Sequence, residues 1–172
     1  MFAGLELYKY HCYQMRKLNS DQMRNFIFGV EDSLVSTLGI LFGIASANEF
    51  NKHQLLVAGL ITIVVEATSM GAGSFLSEET IKESEGGENK LNPLSDGLIM
   101  FFSYFFAGFV PLAPYLLFDI SIAKYVSFAF SIVALFILGF IPSKKTKSGF
   151  KMAFVAGFAA LLGFLVAHFL ST

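Results

Sequence analysis

The sequence predicts an all-α integral membrane protein with five transmembrane helices, because its composition and its apolar runs both indicate a lipid environment. Hydrophobic residues make up 55% of the 172-residue chain and charged residues only 15%, whereas a soluble globular chain is about 25% charged. Crossing the hydrocarbon core requires roughly 20 mostly apolar helical residues. The runs that meet this requirement lie at 26–47, 55–76, 97–117, 125–141 and 152–170. They lack the polar face that a surface helix of a soluble protein shows.

The connections between these runs predict one transmembrane domain that covers residues 1–172. A cytosolic segment, 1–25, precedes the first span, and the only substantial loop is the acidic segment 77–96. Pro93 suits the first turn of a helix, where its missing N–H costs nothing. Pro111 and Pro114 lie near the far end of the third span and are expected to kink or end that helix.

The basic residues predict the orientation of the spans in the bilayer. Lys and Arg concentrate in loops that face the cytosol, and ten of the twelve fall on one side of a five-span chain. These ten are Lys9, Arg16, Lys17, Arg24, Lys82, Lys90, Lys144, Lys145, Lys147 and Lys151. The expected topology therefore has a cytosolic N-terminus, a cytosolic acidic loop and an external C-terminus.

Other features of the composition exclude several classes of protein. The net charge of −1 gives no basic surface for a nucleic acid. The first 24 residues contain no apolar stretch ahead of a cleavage site, so they do not form a secretory signal peptide. Cys12 is the only cysteine, which excludes an intrachain disulfide and a CxxC metal site. No nucleophile–base pair and no phosphate-binding loop is evident, so we expect no enzymatic activity.

Glu66 is a carboxylate in the middle of the second apolar run. Such a residue costs at least about 2.5 kcal/mol at the bilayer centre, so a protein keeps it to hold an ion, carry a proton or pair with another group. A protonated glutamate that merely hydrogen-bonds to a neighbouring helix is the structural alternative. Met70 lies four residues on and shares a helical face with Glu66. Its thioether is a soft ligand that suits transition metals better than calcium or magnesium.

Two further acids, Glu31 and Asp32, lie inside the first span, and with Glu66 and Met70 they are the candidate metal ligands. An interfacial pair of carboxylates is the alternative interpretation of Glu31 and Asp32. Asp32 begins a stripe of polar and small residues with Ser36, Gly39 and Gly43 at helical spacing. The Gly39-x-x-x-Gly43 step lets another helix approach closely. We therefore predict that this stripe serves helix packing and the contact between two copies of the chain.

The acidic loop is expected to be a weaker site of cytosolic metal capture. It carries five glutamates, namely Glu78, Glu79, Glu83, Glu85 and Glu88. Negatively charged oxygen atoms at the entrance of an ion pathway raise the local concentration of cations. Acidic loops are, however, often only solvated. If the second helix continues past Leu76, Glu79 and Glu83 share one of its faces.

Three segments make the sequence resemble the vacuolar iron transporter (VIT) family, membrane proteins that move ferrous or manganous ions into vacuoles or out of cells. Residues 24–47 are similar to the family's first helix, where an aspartate is typically followed by Gly-Leu-Val. Residues 66–77 begin with Glu-Ala-Thr-Ser-Met-Gly, which is similar to the family's acid-x-x-Ser-Met-Gly signature. Asn92-Pro-Leu and, after a span, Val110-Pro-Leu-Ala-Pro-Tyr115 form the third segment.

The resemblance implies five helices per protomer, a homodimer with a metal path near its two-fold axis, and transport coupled to protons. It implies Asp32 and Met70 as ligands in the path, and Glu66 as an acid within or beside it. Two departures stand out. Ser33 follows the aspartate in place of glycine, and segment 77–96 is too short for the longer helical metal-binding domain of other members.

These observations together predict export of Fe²⁺ or Mn²⁺ from the cytosol, with protons as the coupling ion and no resident cofactor. The compact chain favours a prokaryotic cell membrane over a vacuolar one. Two alternatives remain open at this point. The protein could be a channel or carrier for another cation, or a non-transporting membrane protein in which the buried acids only hold helices together.

Overall fold

The computed structural model describes residues 2–47, 51–84 and 92–170, with side chains from Ser20 to Phe169. Within this part of the chain every regular element is an α-helix. The five helices are α1 (Phe2–Ser46), α2 (Lys52–Ser84), α3 (Pro93–Leu117), α4 (Ile120–Ser143) and α5 (Thr146–Leu170). Each contains a stretch long and apolar enough to cross a membrane. The predicted fold class, an all-α protein with five potential spans, is therefore confirmed.

The helices extend further than the apolar runs predicted. Segment 1–25 is not a separate unit, because α1 begins at Phe2 and its apolar part starts only at Ser20. Within segment 77–96, α2 continues to Ser84 and α3 begins at Pro93, so the described residues on both sides of the gap at 85–91 are helical. Hydropathy identifies only the part of a helix that lies in lipid. The helix itself, with its internal backbone hydrogen bonds, can extend beyond the lipid into water.

The third helix begins as its sequence predicts but does not end at its prolines. Pro93 occupies the first turn, and the side chain of Asn92 caps the helix by accepting a hydrogen bond from the backbone N–H of Ser95. Pro111 and Pro114 are both buried, and the helix runs past them to Leu117. The expectation that they end the helix is wrong at those positions. Neighbouring helices stabilise proline inside membrane helices, and Ser127 of α4 donates to the carbonyl of Pro111 at 2.7 Å.

Helix α1 lies at the centre of the bundle and contacts all four other helices. Helix α2 packs mainly on α3, while α5 packs on α1 and α4. One apolar core joins α1, α2 and α3 around Leu41, Ile63 and Tyr115. A second joins α1 to α4 and α5 around Leu38, Leu135 and Ala156. Both cores contain residues of α1, and α3 also packs on α4, so the five helices form one connected bundle.

The glycine stripe of α1 packs against α5 of the same chain. A methyl group at Gly39 would lie 3.3 Å from the carbonyl oxygen of Ala159, and one at Gly43 would lie 2.9 Å from that of Gly163. The backbones therefore approach as closely as small-residue motifs allow. Within one chain α5 therefore supplies the helix packing that was predicted for Gly39 and Gly43, and their part in a dimer contact stays a prediction. The sequence pattern indicated close packing but could not indicate which helix packs there.

Candidate metal-binding site

The carboxylate of Glu66 lies between α1, α2 and α3. Ser36 of α1 donates a hydrogen bond to its Oε2 at 2.9 Å, and the hydroxyl of Tyr104 on α3 donates to the same oxygen. The two hydroxyl oxygens are themselves 2.6 Å apart. Side chains from three helices therefore form a small hydrogen-bonded polar cluster inside an apolar bundle.

This arrangement fixes the orientation of the carboxylate and leaves part of its binding capacity unused. Both hydrogen bonds go to Oε2, so neither occupies Oε1. An ionised carboxylate can accept about four bonds over its two oxygens. Oε1 is therefore the oxygen of Glu66 that neither hydroxyl occupies.

Tyr104 is held in place by its backbone as well as by its hydroxyl. Ser33 on α1 is fully buried and donates to the carbonyl oxygen of Tyr104 at 2.7 Å. Gly108, one turn further along α3, provides the space, because a methyl group there would lie 3.0 Å from the Ser33 hydroxyl. Ser33, the residue after Asp32, therefore links α1 to α3 beside the site.

Asp32 and Glu66 form the acidic pair of the site. Asp32 is half-buried on α1, adjacent to Ser33, and lies near enough to Glu66 for the two charges to interact. Glu31 is also half-buried and interacts with Asp32 in the same way. Across the described residues, no three or more Asp, Glu, His or Cys side chains converge as a metal-binding group. The four predicted metal ligands therefore do not form a closed coordination shell within one chain.

Met70 lies one helical turn beyond Glu66 and is half-buried. Residues four apart on a helix are neighbours on its surface, so its thioether is on the Glu66 side of α2. One residue later, Gly71 packs tightly on α3, where a methyl group would lie 2.8 Å from the Cβ of Phe101. Met70 thus stands at the edge of the α2–α3 contact and beside the carboxylate.

The glutamates predicted to capture metal divide into three groups. Glu78 is buried and forms an ion pair with Arg24 on α1, with 3.7 Å between Oε1 and Nη2. Glu79 and Glu83 are exposed on the last turns of α2, a helix that does continue past Leu76. Glu85 and Glu88 lie outside the described residues. Glu78 is thus part of the helical bundle rather than of a solvated loop.

Sequence reasoning missed Tyr104, the residue that completes the site. Tyr104 lies in the aromatic run Phe101-Phe-Ser-Tyr-Phe-Phe106, where a tyrosine is easily taken for another apolar ring. The available signal was its hydroxyl, since a buried tyrosine hydroxyl usually finds a hydrogen-bond partner. That signal indicates a partner without identifying Glu66, which is 38 residues away.

The fold and the site together define a multi-pass membrane protein with a carboxylate pair in the interior of its helical bundle. Comparison with known sequences gives the family. The VIT family model matches residues 23–90 and 80–168, which is most of the chain. The protein therefore belongs to the VIT family.

Individual relatives match over most of the chain or over one segment of it. An uncharacterized protein of Methanocaldococcus jannaschii is 27% identical over 168 residues, which is 83% of this chain and 87% of that protein. Vacuolar iron transporter 1 of Arabidopsis thaliana is 26% identical over 212 residues, 84% of each chain. Vacuolar iron transporter homolog 2 of Oryza sativa subsp. japonica is 42% identical over 55 residues, 32% of this chain and 29% of that protein.

The Arabidopsis alignment is longer than this chain, so that relative carries residues with no counterpart here. This length difference is consistent with a small member of the family, as the short segment between the second and third spans predicted.

Proposed function

We propose that this protein transports Fe²⁺ or Mn²⁺ out of the cytosol in exchange for protons. Membership of the VIT family supports the coarser part of the proposal, the transport of metal ions. The observation that best supports the proposal is the polar cluster at Glu66, where Ser36 and Tyr104 orient a carboxylate near Asp32 inside the bundle. Acids at this depth in a membrane protein commonly mark the pathway of an ion or a proton.

The choice of ion rests on the chemistry of the side chains around Glu66. Carboxylates accept Mg²⁺, Ca²⁺ and Mn²⁺ readily, and a thioether adds affinity for softer metals. Met70 beside Glu66 therefore favours Fe²⁺ over Mg²⁺ and Ca²⁺, while the carboxylates accept Mn²⁺. The printed name of the Arabidopsis relative, a vacuolar iron transporter, supports iron as one of the ions.

Proton exchange follows from the need for deprotonated ligands. A metal ion binds the ionised form of a carboxylate, so its arrival releases any proton held there. Protons that enter from the opposite side would then compete with the metal and release it. Asp32 and Glu66 interact electrostatically, and we propose that this pair of acids takes part in both events.

A second copy of the chain would complete the site, and we propose a homodimer for this reason. Glu66 and Met70 are only half-buried in one protomer, and Ser69 and Gly73 on the same helix are exposed. Nothing lies within 4 Å of a methyl group built at Gly73. A polar, small-residue surface in the middle of a span favours contact with protein over contact with lipid. The dimer contact is thus better placed on the exposed face of α2 that carries Ser69 and Gly73 than at Gly39 and Gly43 of α1.

The direction of transport and the membrane rest on the sequence. Ten of twelve basic residues on one side favour a cytosolic N-terminus, and export follows if metal enters at that side. We propose a prokaryotic cell membrane as the location, on the basis of the compact chain.

Metal flux into proteoliposomes that contain the purified protein tests this function. We expect Fe²⁺ and Mn²⁺ uptake to increase with an imposed pH gradient, and Asp32→Asn or Glu66→Gln to remove most of that increase. Amides still hydrogen-bond, so both variants should fold and associate as the wild type does. Undiminished gradient-driven uptake in the Asp32→Asn protein would exclude the mechanism. Flux of other cations without metal preference would favour a general cation carrier or channel, and no flux at all would favour a non-transporting membrane protein.

A further inference from the structure

An apolar groove runs along the outside of the bundle between α1, α3 and α4, and its volume is about 1260 Å³. Leu34 of α1 and Ala107 of α3 are buried and form part of its floor. Leu94 and Phe106 of α3 and Ile141 of α4 form part of its rim, and each is at least 61% exposed. The groove is therefore open towards the surroundings of the bundle, and most of its lining is aliphatic or aromatic.

The groove extends over about half of the length that a helix needs to cross a membrane. Along α1 its lining runs from Met23 to Leu34. These positions are about 16 Å apart along a helix that rises 1.5 Å per residue, whereas the hydrocarbon core is about 30 Å thick. The groove therefore has the depth of one leaflet of the bilayer.

Helix contacts close the groove at its inner end. On α3 the lining reaches Val110, and the next residue, Pro111, accepts a hydrogen bond from Ser127 of α4 at 2.7 Å. Further along, Phe42 of α1 contacts Phe128 of α4, with 5.9 Å between the ring centroids. A transmembrane helix of another chain would need a groove through the whole hydrocarbon core. The closed, half-length groove is better suited to the acyl chain of a lipid.

The polar groups of the groove lie at its opposite, outer end. Asn92 and Ser95 at the start of α3 line this end, as does Pro142 near the end of α4. Ser103 lines the floor, but its hydroxyl donates to the carbonyl of Met100 in its own helix at 3.0 Å. One polar end and a long apolar body match the shape of an amphiphile.

Two lysines lie beside this polar end in the turn between α4 and α5. Consecutive Cα atoms are about 3.8 Å apart, so the Cα atom of Lys144 lies within about 8 Å of that of Pro142. The backbone N–H of Lys144 donates to the carbonyl of Phe140 at 2.7 Å, and that of Lys145 donates to the hydroxyl of Ser143 at 3.2 Å. Both lysines are exposed, and neither forms an ion pair within the described part of the chain. The turn thus holds two positive charges where the groove becomes polar.

From these observations we infer that the groove binds a phospholipid with an anionic head group, whose phosphate lies beside Lys144 and Lys145. Basic residues at the polar end of a crevice between membrane helices favour anionic head groups, whereas a zwitterionic head group would bring its own positive charge to the lysines. Glu78 and Asp96 are buried and do not line the groove. Binding of this lipid is a property separate from metal transport.

Tryptophan fluorescence in vesicles tests the inference, because the chain contains no tryptophan of its own. Phe102→Trp places a reporter in the groove, and Phe158→Trp places one on α5. The two phenylalanines are similarly exposed, at 49% and 54%. The purified full chain is reconstituted in mixtures of phosphatidylglycerol and phosphatidylcholine, with bromine on the acyl chains of one lipid at a time. We expect quenching at Phe102→Trp to give a preference of about fivefold or more for phosphatidylglycerol, and Phe158→Trp to give nearly none.

Charge variants show whether the lysines cause the preference. Lys144→Gln combined with Lys145→Gln should remove most of the preference at the Phe102→Trp reporter. Lys147→Gln combined with Lys151→Gln is the matched control, because it removes the same charge from lysines that flank a different surface beside Phe150. All four lysines are exposed, so both double variants should fold, and the control should keep the preference.

Three results would overturn the inference. They are equal lipid preference at the two reporters, a preference that survives in Lys144→Gln with Lys145→Gln, and absence of quenching at Phe102→Trp by either lipid. The last result would indicate that protein, such as a second copy of the chain, covers the groove. None of these measurements depends on metal flux, so the proposed function is tested separately.

Discussion

The hydroxyl of Tyr104 donates a hydrogen bond to Oε2 of Glu66 across the α2–α3 contact. Ser36 donates to the same oxygen from α1, so three helices are joined at one carboxylate. The bonds hold Glu66 in a single orientation while Oε1 takes no part in them. Any cation that binds Glu66 therefore meets a carboxylate that is already positioned, which reduces the ordering cost of binding.

We predict that Tyr104→Phe lowers metal affinity and flux without unfolding the protein. The ring and its packing remain, but one hydrogen bond to a carboxylate is lost. Such bonds contribute about 1.5–3 kcal/mol, so gradient-driven uptake at subsaturating Mn²⁺ should fall by roughly tenfold or more. Tyr115→Phe is the control, since this tyrosine is on the same helix, is fully buried, and makes no hydrogen bond to Glu66. Equal uptake by the two variants would contradict the positioning role of Tyr104.

Met70→Leu is expected to change selectivity more than stability. The two side chains have similar volumes, so the substitution should cost less than about 1.5 kcal/mol of folding free energy. Loss of the thioether should reduce the preference for Fe²⁺ over Mg²⁺ in competition uptake assays. Met152→Leu serves as the control, because Met152 packs on the core between α1, α4 and α5. Unchanged competition by Mg²⁺ in Met70→Leu would show that the sulfur is not a ligand.

Gly163→Ala should destabilise the protomer through the contact between α1 and α5. Its new methyl group would meet the backbone carbonyl of Gly39, which cannot move aside as a flexible side chain can. Overpacking of this kind typically costs about 1–3 kcal/mol, and thermal unfolding in detergent should report it. Gly157→Ala on the same helix has open space around its methyl position and should be neutral or stabilising. If both variants unfold at the same temperature as the wild type, α1 and α5 do not approach as closely as described.

Cysteine accessibility tests the predicted topology. In a Cys12→Ser background, Glu83→Cys should be labelled from the cytosolic side and Asp119→Cys from the external side. Both positions are exposed, and they lie near opposite ends of α3. The expectation follows from the distribution of Lys and Arg. Labelling of both from one side would rule out the five-span arrangement.

The sequence by itself determined the fold class, and it identified the carboxylates that are costly inside a membrane span. Hydropathy is a property of consecutive residues, so five spans could be read directly from five apolar runs. Glu66 and Asp32 stood out because a carboxylate inside such a run is costly wherever the helix packs. Pro93 at the start of α3 was equally predictable, because the first turn of a helix does not use its missing N–H.

Only the tertiary structure decided which residues meet. The sequence marked Gly39 and Gly43 as a packing surface, but helix packing placed α5 of the same chain on them. It paired Tyr104 with Glu66 over 38 positions. The physical reason is that lipid tails and apolar side chains are equally hydrophobic, so hydropathy does not distinguish helix partners. Small-residue contacts and a few buried hydrogen bonds make that choice, and these depend on three-dimensional fit.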